Sequence, residues 1–123
     1  MTACLSTNGV NVHHADAPPV KLLVATAGGL AILERHAPRL EWQHVDTVLR
    51  DMHPSALLFE PRGKGIFAGI HNGGLYFSAD DGRTWERRTN GLTVEHVFSL
   101  RAQDTSILAG TEPVSLFKST DYG

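Results

Sequence analysis

Histidines and carboxylates are the side chains of this sequence with the widest chemical reach. The seven histidines are His13, His14, His36, His44, His53, His71 and His96. None is spaced as H-x₃-H or H-E-x-x-H, the pairings that set two imidazoles on one metal, so they read as turn and surface residues. Asp80, Asp81 and Asp121 raise the question of calcium, but no run has the ligand spacing of an EF-hand loop. Neither a metal nor a cofactor is expected. Glycosidic hydrolysis by paired carboxylates needs separations of roughly 5 to 9.5 Å, and Asp51 with Glu95 is the pair that loops could supply. Gly63-Lys64-Gly65 looks like half a phosphate loop but lacks the Gly-Lys-Ser/Thr sequence and a following helix, so it reads as a turn. Cys4 is the only cysteine, which excludes an internal disulfide, and it has no activating neighbour in sequence.

The elements that must position these residues come from a repeat. Shifting the chain by 41 positions lays Ser55–Gly82 on His96–Gly123 without a gap. Ile66, Ala68, Gly69, Leu75, Ser78, Asp80 and Gly82 then meet Ile107, Ala109, Gly110, Leu116, Ser119, Asp121 and Gly123. An eroded third copy runs through Leu23-Val24-Ala25, a glycine turn and Leu30-Ala31-Ile32-Leu33, with Trp42 standing 43 residues before Trp85. That period suits one propeller blade of four short strands. Within it, Ala56-Leu57-Leu58-Phe59, Ile66-Phe67-Ala68-Gly69, Leu75-Tyr76-Phe77-Ser78 and Thr84-Trp85-Glu86-Arg87 read as strands, with His71-Asn72-Gly73-Gly74 as a turn that tolerates positive φ. Thr47–Met52 offers at most one helical turn and reads as a loop. Strands this short cannot bury their faces alone, so neighbouring sheets must stack.

The sharpest motif is Ser78-Ala79-Asp80-Asp81-Gly82-Arg83-Thr84-Trp85, of the form S-x-D-x-G-x-T-W. A carboxylate at Asp80 can accept hydrogen bonds from N–H groups of its own turn. Gly82 can take the positive φ of a tight reversal, and Ser78 or Thr84 can bond across its mouth. Trp85 can fold back under the turn and bury its ring. Ser119, Asp121 and Gly123 repeat the motif as far as it goes, whereas Ala37 and Arg39 replace the aspartate and glycine in the first copy, whose turn must be held differently.

These residues resemble the Asp-box, or BNR, repeat of sialidase, sortilin and xyloglucanase-like propellers, over roughly Val20 to Gly123. The resemblance implies an all-β fold of four-stranded antiparallel β-propeller blades, about two to three of them and incomplete, preceded by an N-terminal segment (residues 1–19) that need not be ordered. It implies a structural role for the Asp-box residues Ser78, Asp80, Gly82, Thr84, Trp85, Ser119, Asp121 and Gly123. It also implies that the loops from second to third strand, and from fourth strand to the next blade, share the opposite face. Asp51, His53, His71, Asn72, Arg88, Glu95, His96 and Glu112 are therefore the candidate binding face. Core packing is expected for both Trp42 and Trp85.

Two functions follow from the resemblance: a non-catalytic binding scaffold for a protein, small molecule or carbohydrate, or part of a glycoside hydrolase. A sialidase-like site needs three arginines, a tyrosine nucleophile with a glutamate, and an acid. Tyr76 falls in a strand, Tyr122 falls in an Asp box, and the adjacent Arg87 and Arg88 would point to opposite faces of a strand. The scaffold is the preferred reading. A formal charge of −2 supplies no basic field for nucleic acid or anionic lipid. The best apolar run, Val20 to Leu33, is interrupted by Lys21 and Gly28-Gly29, and no leader pattern precedes it. A cytoplasmic protein without nucleic-acid or membrane partners is expected. The motif breaks off after Gly123, so the chain reads as part of a longer propeller, or as one that completes its blades by self-association.

Overall fold

The structure, a computed structural model, describes residues 2–6, 9–11, 17–60, 62 and 65–121, with the backbone alone for 5, 6 and 9–11. His13, His14, Lys64, Tyr122 and Gly123 lie outside the described residues. Twelve strands form three sheets, and no helix occurs among the described residues. No helix there is therefore long and apolar enough to cross a membrane.

The first sheet contains β1 (Thr2–Ser6), β2 (Gly9–Asn11), β3 (Lys21–Thr26), β4 (Gly29–His36) and β5 (Arg39–Val48), in the order β2-β1-β3-β4-β5. The second contains β6 (Pro54–Phe59), β7 (Ile66–Ile70), β8 (Gly74–Ser78) and β9 (Glu86–Arg87), in chain order. The third contains β10 (Val97–Gln103), β11 (Ser106–Thr111) and β12 (Ser115–Ser119), also in chain order. All pairings are antiparallel except β1 with β3, which is parallel.

Alternation along the strands builds the core. β7 is buried at every position, and its side chains divide between two clusters. Ile66, Ala68 and Ile70 join Leu57 against Cys4, Leu23, Leu30 and Ile32 of the first sheet. Phe67 joins Leu58, Leu75 and Phe77 against Ile107 of the third, with the Phe67 and Phe77 rings 4.8 Å apart. The second sheet is thus the middle layer of an open row. Burying a large apolar side chain contributes about 1.5 to 3 kcal/mol, so β7 and its neighbours carry much of the fold. Close approach is required at Gly69, where an added Cβ would stand 2.6 Å from Val97 Cγ1 of β10. Beside it the buried Ser55 hydroxyl donates to the carbonyls of Gly69 and Val97, fastening the second sheet to the third.

Several sequence expectations change. Residues 1–19 were set apart as a separate segment, yet Thr2–Ser6 is a strand of the first sheet, paired with β3. The expected strand Thr84–Arg87 shrinks to Glu86–Arg87, because Thr84 spends its N–H and hydroxyl on Asp80 inside the preceding turn. In the eroded copy, the side chains facing the second sheet are Leu23, Leu30 and Ile32, which match Phe67, Leu75 and Phe77 of the second sheet at offsets of 44 to 45 rather than 43. Trp42 consequently leaves the core: it sits in the edge strand β5, 36% exposed, with the Arg35 guanidinium 4.6 Å from its ring centre. The first-copy turn at Ala37-Pro38 is a two-residue hairpin that pairs His36 with Arg39.

Candidate binding face and the turn opposite it

Two ends of the sheet row carry different chemistry. At one end, the connections between strands are tied to each other by backbone bonds: Asp51 N–H to the Gly28 carbonyl (3.1 Å), His71 N–H to His53 (2.8 Å), Gly74 N–H to Glu95 (2.8 Å) and Glu112 N–H to His96 (3.1 Å). The His71–His53 and Glu112–His96 bonds occupy matching places in successive repeats. Positive φ at Asp51 (61°), Asn72 (57°) and Gly74 (80°) turns the chain tightly there, as short polar side chains and glycine allow.

These bonds bring three imidazoles into a row. The His71 ring centre lies 5.4 Å from His53 and 3.8 Å from His96, the second pair edge to face. His96 is in turn 5.8 Å from the Phe98 ring. His53 and His71 are exposed, His96 is half-buried, and Phe98 is 45% exposed. His96 Nε2 is enclosed and has no hydrogen-bond partner among the described residues. The row therefore offers flat aromatic surface together with imidazole nitrogens, each able to donate or accept according to tautomer. Among the described residues no three His, Cys, Asp or Glu side chains are placed to hold a metal ion.

The other candidate residues divide. Asp51, Asn72 and Glu112 are exposed on the same connections. Glu95 pairs with Arg87, whose Nε also donates to the Gly73 carbonyl at 3.2 Å. Arg88 is not brought to the histidine row. It pairs with Glu86 and lies over the Phe77 ring at 3.9 Å, between the second and third sheets.

The turn of residues 78–85 lies at the far end of β8. Asp80 Oδ1 accepts from the Ser78 hydroxyl (2.8 Å), the Arg83 N–H (3.1 Å) and the Thr84 N–H (2.8 Å), while Oδ2 accepts from the Thr84 hydroxyl. Ser78 Oγ accepts from the Gly82 N–H (2.8 Å), and Trp85 Nε1 donates to the Gly82 carbonyl (3.0 Å). Gly82 has φ of 86°. The Thr84 hydroxyl first, then the turn N–H groups and Ser78, hold the Asp80 carboxyl well below the usual carboxylate range. Trp85 packs on the cluster between the first and second sheets. Asp121 repeats only the beginning of this arrangement among the described residues, accepting from Ser119 Oγ at 2.9 Å; Gly123 lies outside them.

One contact at this end was not foreseen. Asp81, next to Asp80, accepts from Thr2 Oγ1 (2.7 and 2.9 Å) and from Lys21 Nζ (3.2 Å), and its carbonyl also accepts from Lys21. The buried Lys21 thereby ties the first sheet to the turn of the second. Burial, and then the Asp81 charge, push the Cys4 thiol up to about 12 against the opposing pull of Lys21, which keeps it protonated at neutral pH and unsuited to nucleophilic attack.

No family model, no curated protein and no solved structure matches this chain.

Proposed function

We propose that the chain is a non-catalytic binding scaffold whose three sheets are successive blades of an Asp-box β-propeller, with the ligand taken across the face of connecting loops. The observation that carries this reading is the asymmetry of the two ends. At the Asp80 end the Asp80 carboxylate, the Ser78 hydroxyl and the Trp85 indole N–H are spent within the turn, as an Asp box requires, and Asp81 is tied to Thr2 and Lys21 of the first sheet. At the other end three repeats deliver His53, His71 and His96 into contact, with Asp51, Asn72 and Glu112 around them. Loops that converge on a rigid scaffold are where binding residues concentrate.

The imidazole row and its polar border suit a ligand that stacks and accepts or donates hydrogen bonds, whether a sugar ring or a protein loop. The ion pair of Glu95 with Arg87 argues against the hydrolase alternative, because it occupies a carboxylate that a paired-carboxylate site would need free for substrate. The test has two arms. Screening soluble glycans and peptides by NMR should find ligands that shift the side-chain nitrogens of His53, His71 and His96 and leave the Asp80 turn unmoved. Incubation with aryl glycosides should give no turnover above the rate without protein. Turnover abolished by Glu95→Gln would replace the scaffold with the hydrolase.

A further inference from the structure

The connections that carry the histidine row hold the charged side chains Arg50, Asp51, Arg88, Glu95 and Glu112. Three of these are neutralised by neighbours: Arg50 pairs with Asp46 at 3.3 Å, Arg88 with Glu86, and Glu95 with Arg87. Asp51 and Glu112 are exposed, and among the described residues no cation pairs with them. One stands at each end of the row. Asp51 precedes His53 by two residues, on a connection that its own N–H ties to the Gly28 carbonyl, and the Glu112 N–H donates to the His96 carbonyl at 3.1 Å. With the imidazoles neutral, the unspent charge of this face is therefore negative.

The rings between the two carboxylates supply the other half of a cation site. His53 and His71 are exposed and tilted by 34° with their centres 5.4 Å apart, and His96 closes the row edge to face against His71. A neutral imidazole keeps one nitrogen as an acceptor. A planar guanidinium stacks on aromatic faces, which a compact ammonium does not, and carboxylates accept its N–H groups in pairs. An anionic ligand would instead meet both free carboxylates as like charges.

We infer that the row binds an arginine side chain presented by a peptide or protein loop, its guanidinium lying on the His53 and His71 rings and donating to Asp51 or Glu112. This inference rests on the loop-face reading above and narrows its ligand. Acid releases the arginine, because histidine gains its charge between about pH 8 and pH 5. An imidazolium repels the guanidinium, no longer offers an acceptor nitrogen, and competes for Asp51 and Glu112. The Arg87–Glu95 and Arg50–Asp46 pairs are the other charges around the row, and each is already balanced.

The experiment titrates the isotopically labelled 123-residue chain with acetyl-Gly-Arg-Gly-amide and with its citrulline and glutamate counterparts, read by histidine side-chain and backbone NMR shifts. The arginine peptide should give saturable shifts at His53, His71 and His96 and none at the Asp80 turn. Citrulline keeps the shape and removes the charge, and should bind about tenfold more weakly. Asp51→Asn combined with Glu112→Gln, both at exposed positions, should weaken arginine binding about threefold to tenfold with the melting temperature unchanged. Lowering the pH from about 7.5 to about 5.5 should weaken it by a similar factor. Equal affinity for the citrulline peptide would overturn the inference, as would arginine shifts that map to β5 or to the Asp80 turn. A row that answers to the glutamate peptide or to a neutral glycan, and not to arginine, overturns it while the loop-face reading stands. A row silent to all three peptides also overturns it, and silence toward the wider glycan and peptide screen removes the loop-face reading as well.

Discussion

The second and third sheets are two copies of one repeat placed in different surroundings. The face that the second sheet turns to the third carries Leu58, Phe67, Leu75 and Phe77, all buried. The matching face of the third sheet carries Arg101, Leu108, Leu116 and Lys118, which are exposed except for the half-buried Leu108. The backbone pattern is preserved down to its irregularities: the ladder shifts between Pro54 and Ala56 in one sheet and between Val97 and Ser99 in the other. Turn and pairing chemistry is thus kept from copy to copy while the outward side chains change. Two apolar positions have become basic, so stacking that face on a second copy of itself would set Arg101 and Lys118 against like charges. Among the described residues, the exposed apolar side chains near that face are Phe98, Val114 and Leu116.

The comparison can be broken most forcefully at Phe67 and its counterpart Leu108. Phe67→Ala should cost about 3 to 5 kcal/mol, since it empties a fully enclosed site between two sheets. Leu108→Ala should cost less than about 1 kcal/mol, because part of that side chain is already in water. Urea unfolding followed by circular dichroism checks both, and equal losses would mean that the two faces are equally covered in solution.

A smaller contrast is set at Gly69 and Gly110. A methyl group on Gly69 would drive into Val97 of the next sheet at 2.6 Å, so Gly69→Ala should cost about 1 to 3 kcal/mol by overpacking. At Gly110 the nearest atom is Ser99 Oγ within the same sheet, at 2.5 Å. That hydroxyl can rotate away, and Gly110→Ala should stay within about 0.5 kcal/mol of the parent. Differential scanning calorimetry of the two variants measures the difference. A Gly69→Ala protein that melts with the parent would show that the second and third sheets are not pressed together there.

How much of this was legible in the sequence depended on the distance over which each restraint acts. The turn at Asp80 was legible because every partner of its carboxylate lies between Ser78 and Thr84. Strands β6 to β8, β11 and β12 were legible through apolar runs repeated at 41 residues, whereas β10 stands 43 residues after β6 in register, two off the ungapped shift. The first sheet was not legible in register: its glycine hairpin is shorter, and the altered offset changes which side of β3 faces inward. Trp42, expected in the core, is displaced for that reason. The strand β1 carries no local signal, because its place is set by a parallel pairing with β3 and by Thr2 reaching Asp81 across the chain. The histidine row was legible only as a set of candidate loop residues. Its rings meet because two connections between sheets and one hairpin converge, His53 and His96 each standing immediately before the first strand of its sheet.

The smallest expected effect, and the one that most sharpens the comparison of repeats, concerns Asp80 and Asp121 in acid. Hydrogen bonds from Thr84, the turn N–H groups and Ser78 favour the charged form of Asp80 only in the folded chain. Its carboxyl is therefore more acidic folded than unfolded. The stabilisation it contributes is complete above the unfolded value near 3.8 and is lost as the pH falls from there through the lower folded value. Thermal melting of the parent chain should accordingly decline as the pH is lowered below about 4, with part of the slope arising from this one group. Asp80→Asn should remove that part of the slope and lower amide protection at Arg83 and Thr84, on the order of tenfold in exchange rate. Asp121→Asn removes an acceptor that receives, among the described side chains, the Ser119 hydroxyl alone, on an exposed turn. Its stability at neutral pH should stay within about 0.5 kcal/mol of the parent's, as for most exposed positions. If Asp121→Asn lowers amide protection in its own turn as much as Asp80→Asn does, the third-sheet turn closes around Asp121 as tightly as the second-sheet turn closes around Asp80, and the two repeats are alike at that end.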